Sequence, residues 1–223
     1  MPPLSSQLDI IPKVEALRLA LLPPTFSPTG QYSNQDEVDI KTDAYIVLCH
    51  AEFEHHLEEI ARLMMEDAVV SWEREIATPA AMALLALNHS PERALKDYSK
   101  KDKTKKSLYS SLSLQFLLNK VASDHDRVIK NNNGIRAEDL KKLFDPLGIP
   151  LTEIDPVLVF SLDDFGKKRG TVAHGSFAAR QGKDPAVVYG ETSTIATRLH
   201  ELTLTLDKPR AVQHLAAIAF SLN

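Results

Sequence analysis

Apolar and polar residues follow one another along this chain in the three- and four-residue steps of helices, and no segment sustains the period-two alternation of a strand. From Ser5 to Leu22 the apolar positions are Leu8, Ile11, Val14, Leu17, Leu19 and Leu21, and Pro23-Pro24 stop the segment. Pro12 allows this helix to start only near itself. Residues 23–36 are rich in Pro, Ser, Gly and Asn and read as a loop. From about Asp39 to Ile76 there is neither Pro nor Gly. Ile46, Val47, Cys49, Phe53, Leu57, Ile60, Ala61, Met64, Ala68 and Trp72 mark one face there, and Glu58, Glu59, Arg62 and Glu66 mark the other. A helix of that length predicts the spine of a bundle.

Thr78-Pro79 reads as an N-cap followed by a proline in the first turn, opening a short helix over Ala80 to Leu87. Residues 90–106 then carry seven cations against three acids, a local balance of +4, and read as a mobile, solvated linker. Ser107 to Lys130 is amphipathic through Leu108, Leu112, Leu114, Leu117, Leu118 and Val121, with Asn131-Asn132-Asn133-Gly134 as a stop that tolerates left-handed backbone. Arg136 to Leu147 predicts a shorter helix closed by Gly148. Asp155-Pro156 repeats the cap-plus-proline pair and opens a helix through Val157, Phe160, Leu162 and Phe165. Phe177 to Gly190 reads as a loop, and Glu191 to Asn223 as a final helix with a break near Pro209. The expected fold is an all-α antiparallel helical bundle with extra N- and C-terminal helices. It divides into an N-terminal helix and loop, residues 1–36, and a bundle, residues 37–223, with no internal repeat.

Composition adds little and excludes more. The 223 residues are 43% hydrophobic and 25% charged, values ordinary for a globular chain, with only 6% aromatics. A lone cysteine, Cys49, excludes an intramolecular disulfide and a cysteine-based zinc cluster, and it reads as a small core residue. The N-terminus shows no basic, then apolar, leader, and the longest apolar run, Leu215 to Leu222, is too short for a membrane span, so a cytoplasmic protein without a membrane partner is expected. The net charge of -4 and pI near 6.1 require any contact with RNA to be local.

The segment richest in chemistry is Lys167-Lys168-Arg169-Gly170-Thr171-Val172-Ala173-His174-Gly175. Arginine offers a planar fork that fits phosphate oxygens, and histidine exchanges a proton near neutral pH. RNA cleavage uses both: a base for the 2′-hydroxyl, an acid for the leaving 5′-oxygen, and positive charge for the phosphorane. This Arg-x4-His segment, preceded by an amphipathic helix and followed by Gly175, resembles the Arg-x4–6-His motif of HEPN domains. Tyr45-Ile-Val-Leu-Cys-His50-Ala-Glu52-Phe-Glu54-His-His-Leu-Glu58 is similar to the early helix of the branch found with RNA ligase and phosphatase genes, RiboL-PSP-HEPN.

The resemblance implies a helical bundle acting as a metal-independent endoribonuclease, with Arg169 and His174 as the catalytic pair and no cofactor. It implies a toxin, a defence effector or an RNA-processing protein. Its partners would be RNA, single-stranded or structured, a second copy in a homodimer, and an antitoxin or other protein. The alternative is an inactive HEPN-like module that binds RNA or protein. Family members often carry a polar residue after the arginine; Gly170 stands there. On an ideal helix five residues set Arg169 and His174 about 140° apart, so they converge only if the helix breaks near Gly170 or two copies share a site.

Other candidates surround this pair. Lys167, Lys168 and Thr171 flank it as cleft or RNA-binding residues. His50, Glu54, His55 and Glu58 recur at helical spacing and read either as an exposed polar face or, for His50 and Glu54, as lining of the same cleft. Glu52 and His55 fit half of a di-iron Glu-x-x-His pattern, but a second copy is missing, so no metal is expected. The basic run Lys100 to Lys106, flanked by Tyr98 and Tyr109, reads as a solvated loop that could attract phosphates. No Ser-His-Asp pattern or phosphate-binding glycine loop is found.

Overall fold

The computed structural model describes residues 3–87, 114–174 and 182–221, with side chains at all of these except 87, 173, 174 and 208–221. Among the described residues every regular element is a helix: α1 (Ile11–Leu21), α2 (Gln35–Glu73), α3 (Pro79–Leu87), α4 (Leu114–Lys130), α5 (Ala137–Phe144), α6 (Pro156–His174) and α7 (Pro185–Ser221). Short 3-10 turns lie at Leu4–Ser6, Asp145–Leu147 and Leu151–Glu153. The linker expected at 90–106, the start of the Ser107 helix, and the Lys100 to Lys106 run with Tyr98 and Tyr109 lie outside the described residues.

The 39 residues of α2 make a rod about 58 Å long at 1.5 Å per residue. Its apolar stripe, including Tyr45, Cys49, Phe53, Leu57, Ile60 and Ala61, is buried throughout. One continuous core joins that stripe to Leu118 and Val121 of α4, Leu140 and Phe144 of α5, Leu158, Leu162 and Phe165 of α6, and Ile195 and Leu199 of α7. Leu4, Ile10 and Val14 belong to the same core, so the N-terminal segment packs on α2 and α7. Asp207 of α7 accepts the Leu4 and Ser5 backbone N–H groups at 2.6 and 2.9 Å. No described helix is long and apolar enough to cross a membrane.

The expected caps form. The Ala81 N–H donates to the Thr78 hydroxyl at 3.1 Å, and the Val157 N–H to the Asp155 carboxylate at 2.9 Å. Three expectations need correction. The last helix begins at Pro185, not Glu191, because Asp184-Pro185 is a further cap-plus-proline pair, with the Ala186 N–H on the Asp184 carboxylate at 2.9 Å. Its helical backbone runs through Pro209, where a break was expected; an interior proline removes one backbone donor, and the adjoining turns keep theirs. The Asn131–Gly134 stop uses no left-handed residue. Asn131 instead donates its side-chain amide to the Arg127 carbonyl at 2.8 Å. A Cβ at Gly134 would fall 2.3 Å from an Asp139 oxygen, so the Asp139 carboxylate that accepts the Arg136 N–H would have to shift.

α6 and α7 run antiparallel, with Lys168 on Glu191 and Asp155 on Arg198, and so do α2 and α6, where Phe53 meets Phe165 and His50 feels Arg169. The two longest, α2 and α7, run side by side in the same direction. Tyr45 Oη and Thr192 Oγ1 share a hydrogen bond at 2.7 Å, and His56 Nε2 and Thr203 Oγ1 another at 3.1 Å, each across 147 residues of sequence.

Candidate functional site

Arg169 follows Phe165 by four residues, Leu162 by seven and Leu158 by eleven. Those spacings put it on the buried stripe of α6, as its polar end. On α2 the partner stripe carries Phe53, which meets Phe165 edge-on with ring centroids 5.6 Å apart. Because the helices are antiparallel, the turn after Phe165 faces the turn before Phe53. Arg169 thereby comes near His50, and near Glu54 one turn further along α2.

The electrostatics record that meeting. His50 is only 4% exposed, and burial, followed by the Arg169 guanidinium, lowers its pKa to about 4. It is therefore a neutral imidazole at pH 7. Burial raises the Glu54 carboxyl above its ordinary value, Glu58 raises it further, and Arg169 opposes the rise. His50 Nδ1 lies 3.8 Å from Glu54 Oε2, within ion-pair range but beyond a hydrogen bond. Glu54 Oε1 and Arg169 Nε are both buried without a hydrogen-bond partner. Buried polar atoms are ordinarily paired; these two, among eight unpaired ones in the described residues, lie on facing helices.

The other cations of the Lys-Lys-Arg run are engaged. Lys167 pairs with Asp163 at 2.6 Å, and Lys168 with Asp164 at 2.9 Å and Glu191 at 2.8 Å. Among the described residues Arg169 has no carboxylate within ion-pair distance, although Glu54 stands close enough for the two groups to act on each other. Thr171 is exposed and returns its hydroxyl to the Lys167 carbonyl at 3.2 Å.

A strap between α4 and α5 closes the site from the side. The Asn132 amide donates to Glu58 at 3.0 Å, tying the strap to α2, and Arg136 Nε donates to Asp163 at 3.2 Å, tying it to α6. Gly166 lets it approach, since a Cβ there would stand 2.9 Å from Arg136 Cγ. Asp139 holds the Arg136 N–H at 3.2 Å and adds negative potential at His50 and Glu54. Asn132 and Asp139 were not anticipated. Asn132 reads in sequence as part of a helix stop, and its bond to Glu58 spans 74 residues.

His50 and Glu54 therefore do not form an exposed polar face; of that group, His55 alone is exposed. Neighbouring His56 is buried, its pKa lowered to about 4 chiefly by burial. Cys49 is fully buried and its thiol pushed up to about 12, again by burial, which makes it a core residue. Among the described residues no three of His, Cys, Asp and Glu are grouped to hold a metal ion. α6 is helical without interruption through Gly170, so the break that would have brought Arg169 and His174 together on one helix is absent. The His174 side chain and Gly175 lie outside the described residues.

No curated protein and no solved structure matches the chain. One protein family does: the family model RiboL-PSP-HEPN matches residues 24–192, which contain α2, the strap and all of α6. With three quarters of its length inside that match, from the loop before α2 to the first turns of α7, this chain belongs to the RiboL-PSP-HEPN family of HEPN domains.

Proposed function

We propose that this protein is a HEPN-type endoribonuclease that cuts RNA without a metal ion and works as a homodimer. Arg169 grips the scissile phosphate and His174 transfers protons. In the reaction a base removes the 2′-hydroxyl proton, and the 2′-oxygen bonds to phosphorus. The bond from phosphorus to the 5′-oxygen breaks, and an acid protonates the departing oxygen. Arg169 supplies the fixed positive charge that stabilises the crowded phosphorus centre.

The observation that carries this reading is the state of Arg169. It is a guanidinium at the end of a buried stripe, set against His50 and Glu54, with its Nε buried and unpaired and no carboxylate among the described residues within ion-pair distance. A neutral His50 keeps that position free of a competing positive charge. The unbroken helix supports a shared site: with Arg169 and position 174 about 140° apart on one α6, two copies supply the pair more readily than one. A toxin, a defence effector and an RNA-processing protein all suit this chemistry, with an antitoxin or other protein as a further partner.

A second reading keeps the bundle as a module that binds RNA or a protein without cutting it. It is favoured by Gly170, which places no polar side chain next to Arg169. The deciding experiment is cleavage of a labelled single-stranded RNA in EDTA by the wild type, Arg169→Ala and His174→Ala. Cleavage by the wild type alone supports the nuclease. RNA retention without turnover by all three supports the binding module.

A further inference from the structure

A cleft of about 370 Å³ opens between α6 and α7, lined on α6 by Phe160, Asp164 and Lys168. Its size suits a small ligand or one nucleotide. Three features distinguish it from ordinary surface. Phe160, at its edge, is 73% exposed, an unusual position for a phenylalanine in a chain this poor in aromatics. The charged lining is a triad in which Lys168 joins Asp164 and Glu191 at 2.9 and 2.8 Å. On the α7 wall stands Gly190, within a helix. Glycine weakens a helix relative to alanine, and no atom lies within 4 Å of where its Cβ would be. Packing therefore does not require this glycine, and its missing side chain keeps the cleft open.

We infer that this cleft is a nucleobase subsite for single-stranded RNA, selective for guanine. The inference rests on the ribonuclease or RNA-binding reading given above. Phe160 offers the flat apolar surface on which a base stacks. The triad carries one positive and two negative charges, so it repels a phosphate and attracts N–H donors. Lys168 engages one oxygen of each carboxylate, Asp164 Oδ2 and Glu191 Oε1, and each carboxylate keeps its second oxygen as an acceptor. Guanine alone among the four bases has two adjacent donors, N1–H and the N2 amino group, to set against a carboxylate. Helical register connects the subsite to the motif: position 167 falls about 20° from Phe160 around α6, position 171 about 20° to the other side, and position 174 about 40° away. A strand bound with its base on Phe160 runs along the strip that ends at the motif histidine.

The test is binding, by fluorescence anisotropy, of two labelled oligouridines that differ only in carrying one central guanosine or one central adenosine. It uses the full chain as wild type, Phe160→Ala, Glu191→Gln and Gly190→Leu. The wild type should favour the guanosine strand about tenfold. Phe160→Ala should weaken both strands roughly tenfold, Glu191→Gln should remove the preference, and Gly190→Leu should fill the cleft and remove both effects with no loss of melting temperature. Equal binding of the two strands by the wild type, or a preference that survives Gly190→Leu, overturns the subsite while leaving the nuclease reading intact if Arg169→Ala still abolishes cleavage. Absence of any RNA binding overturns both.

Discussion

The long helix α2 meets two neighbours through buried polar groups, and the two meetings are built differently. Toward α7, Tyr45 and His56 each find a threonine hydroxyl, and both threonines also bond their own helix, Thr192 to the Val188 carbonyl and Thr203 to the Leu199 carbonyl. Toward α6, His50 and Glu54 face Arg169 with Glu54 Oε1 and Arg169 Nε unpaired. Both places are buried, and both contain a histidine whose pKa is lowered to about 4. Burial and titration therefore do not separate them; pairing does so at Tyr45, His56 and Glu54, although His200 Nδ1 of α7, which acts on His56, is also unpaired. A satisfied buried polar contact serves stability and register; the unpaired atoms of Glu54 and Arg169 are carried at a stability cost.

The largest effect expected from this contrast is on activity. Arg169→Ala should lower RNA cleavage by about 100-fold or more, the range for loss of a charge-stabilising donor, with little change in the denaturation midpoint. A variant that stays active but melts early would reverse the roles of the two interfaces. Next comes acid stability. His50 and His56 both have folded pKa values of about 4 against 6.5 when unfolded, so the unfolded chain binds more protons between those values. Stability is fully present above pH 6.5 and falls as the pH drops toward 4, by about 3 kcal/mol for each histidine as an upper order of magnitude. Denaturation curves between pH 7 and 4 measure the fall, and His56→Gln should remove one share of it.

Smaller again, Thr203→Val should cost about 1–3 kcal/mol, because His56 Nε2 is left buried without its partner, while the cleavage rate per folded molecule stays at the wild-type level. Urea titration and initial rates on one preparation separate the two quantities. The smallest effect is spectroscopic. Removing the Arg169 charge should raise the His50 pKa from about 4, followed by NMR titration of the ring, and leave His56 where it is. Equal movement of both would mean that α6 and α7 do not act independently on α2.

Local patterns were legible before the structure, and distant meetings were not. The α2 stripe, the Thr78-Pro79 and Asp155-Pro156 caps and the Gly148 stop all depend on residues within one or two turns. Asp184-Pro185 has the same form as Asp155-Pro156, yet the glycine and proline content around it reads as loop. The inward direction of Arg169 can be derived from Leu158, Leu162 and Phe165 once α6 is known to be unbroken, and sequence leaves the state of Gly170 open. The burial of His50 could not be derived, because polar residues at helical spacing look the same on a wet face and on a face covered by another helix. Phe160 reads as one more core residue, and its exposure depends on where α7 lies.

The two threonine bonds along α2 and α7 have a mechanical consequence. They stand eleven residues apart on each helix, 45 to 56 and 192 to 203, which is about 16 Å of rise and just over three full turns. A single bond would be a pivot about which one rod could roll or slide; two at matched spacing act as a pair of dowels. Any slip of α7 by one turn unseats both together, so the rods have one setting and no graded series of neighbouring ones. The wall on which Gly190 stands is part of that rod, and the opening between α6 and α7 is thereby held to a fixed gauge.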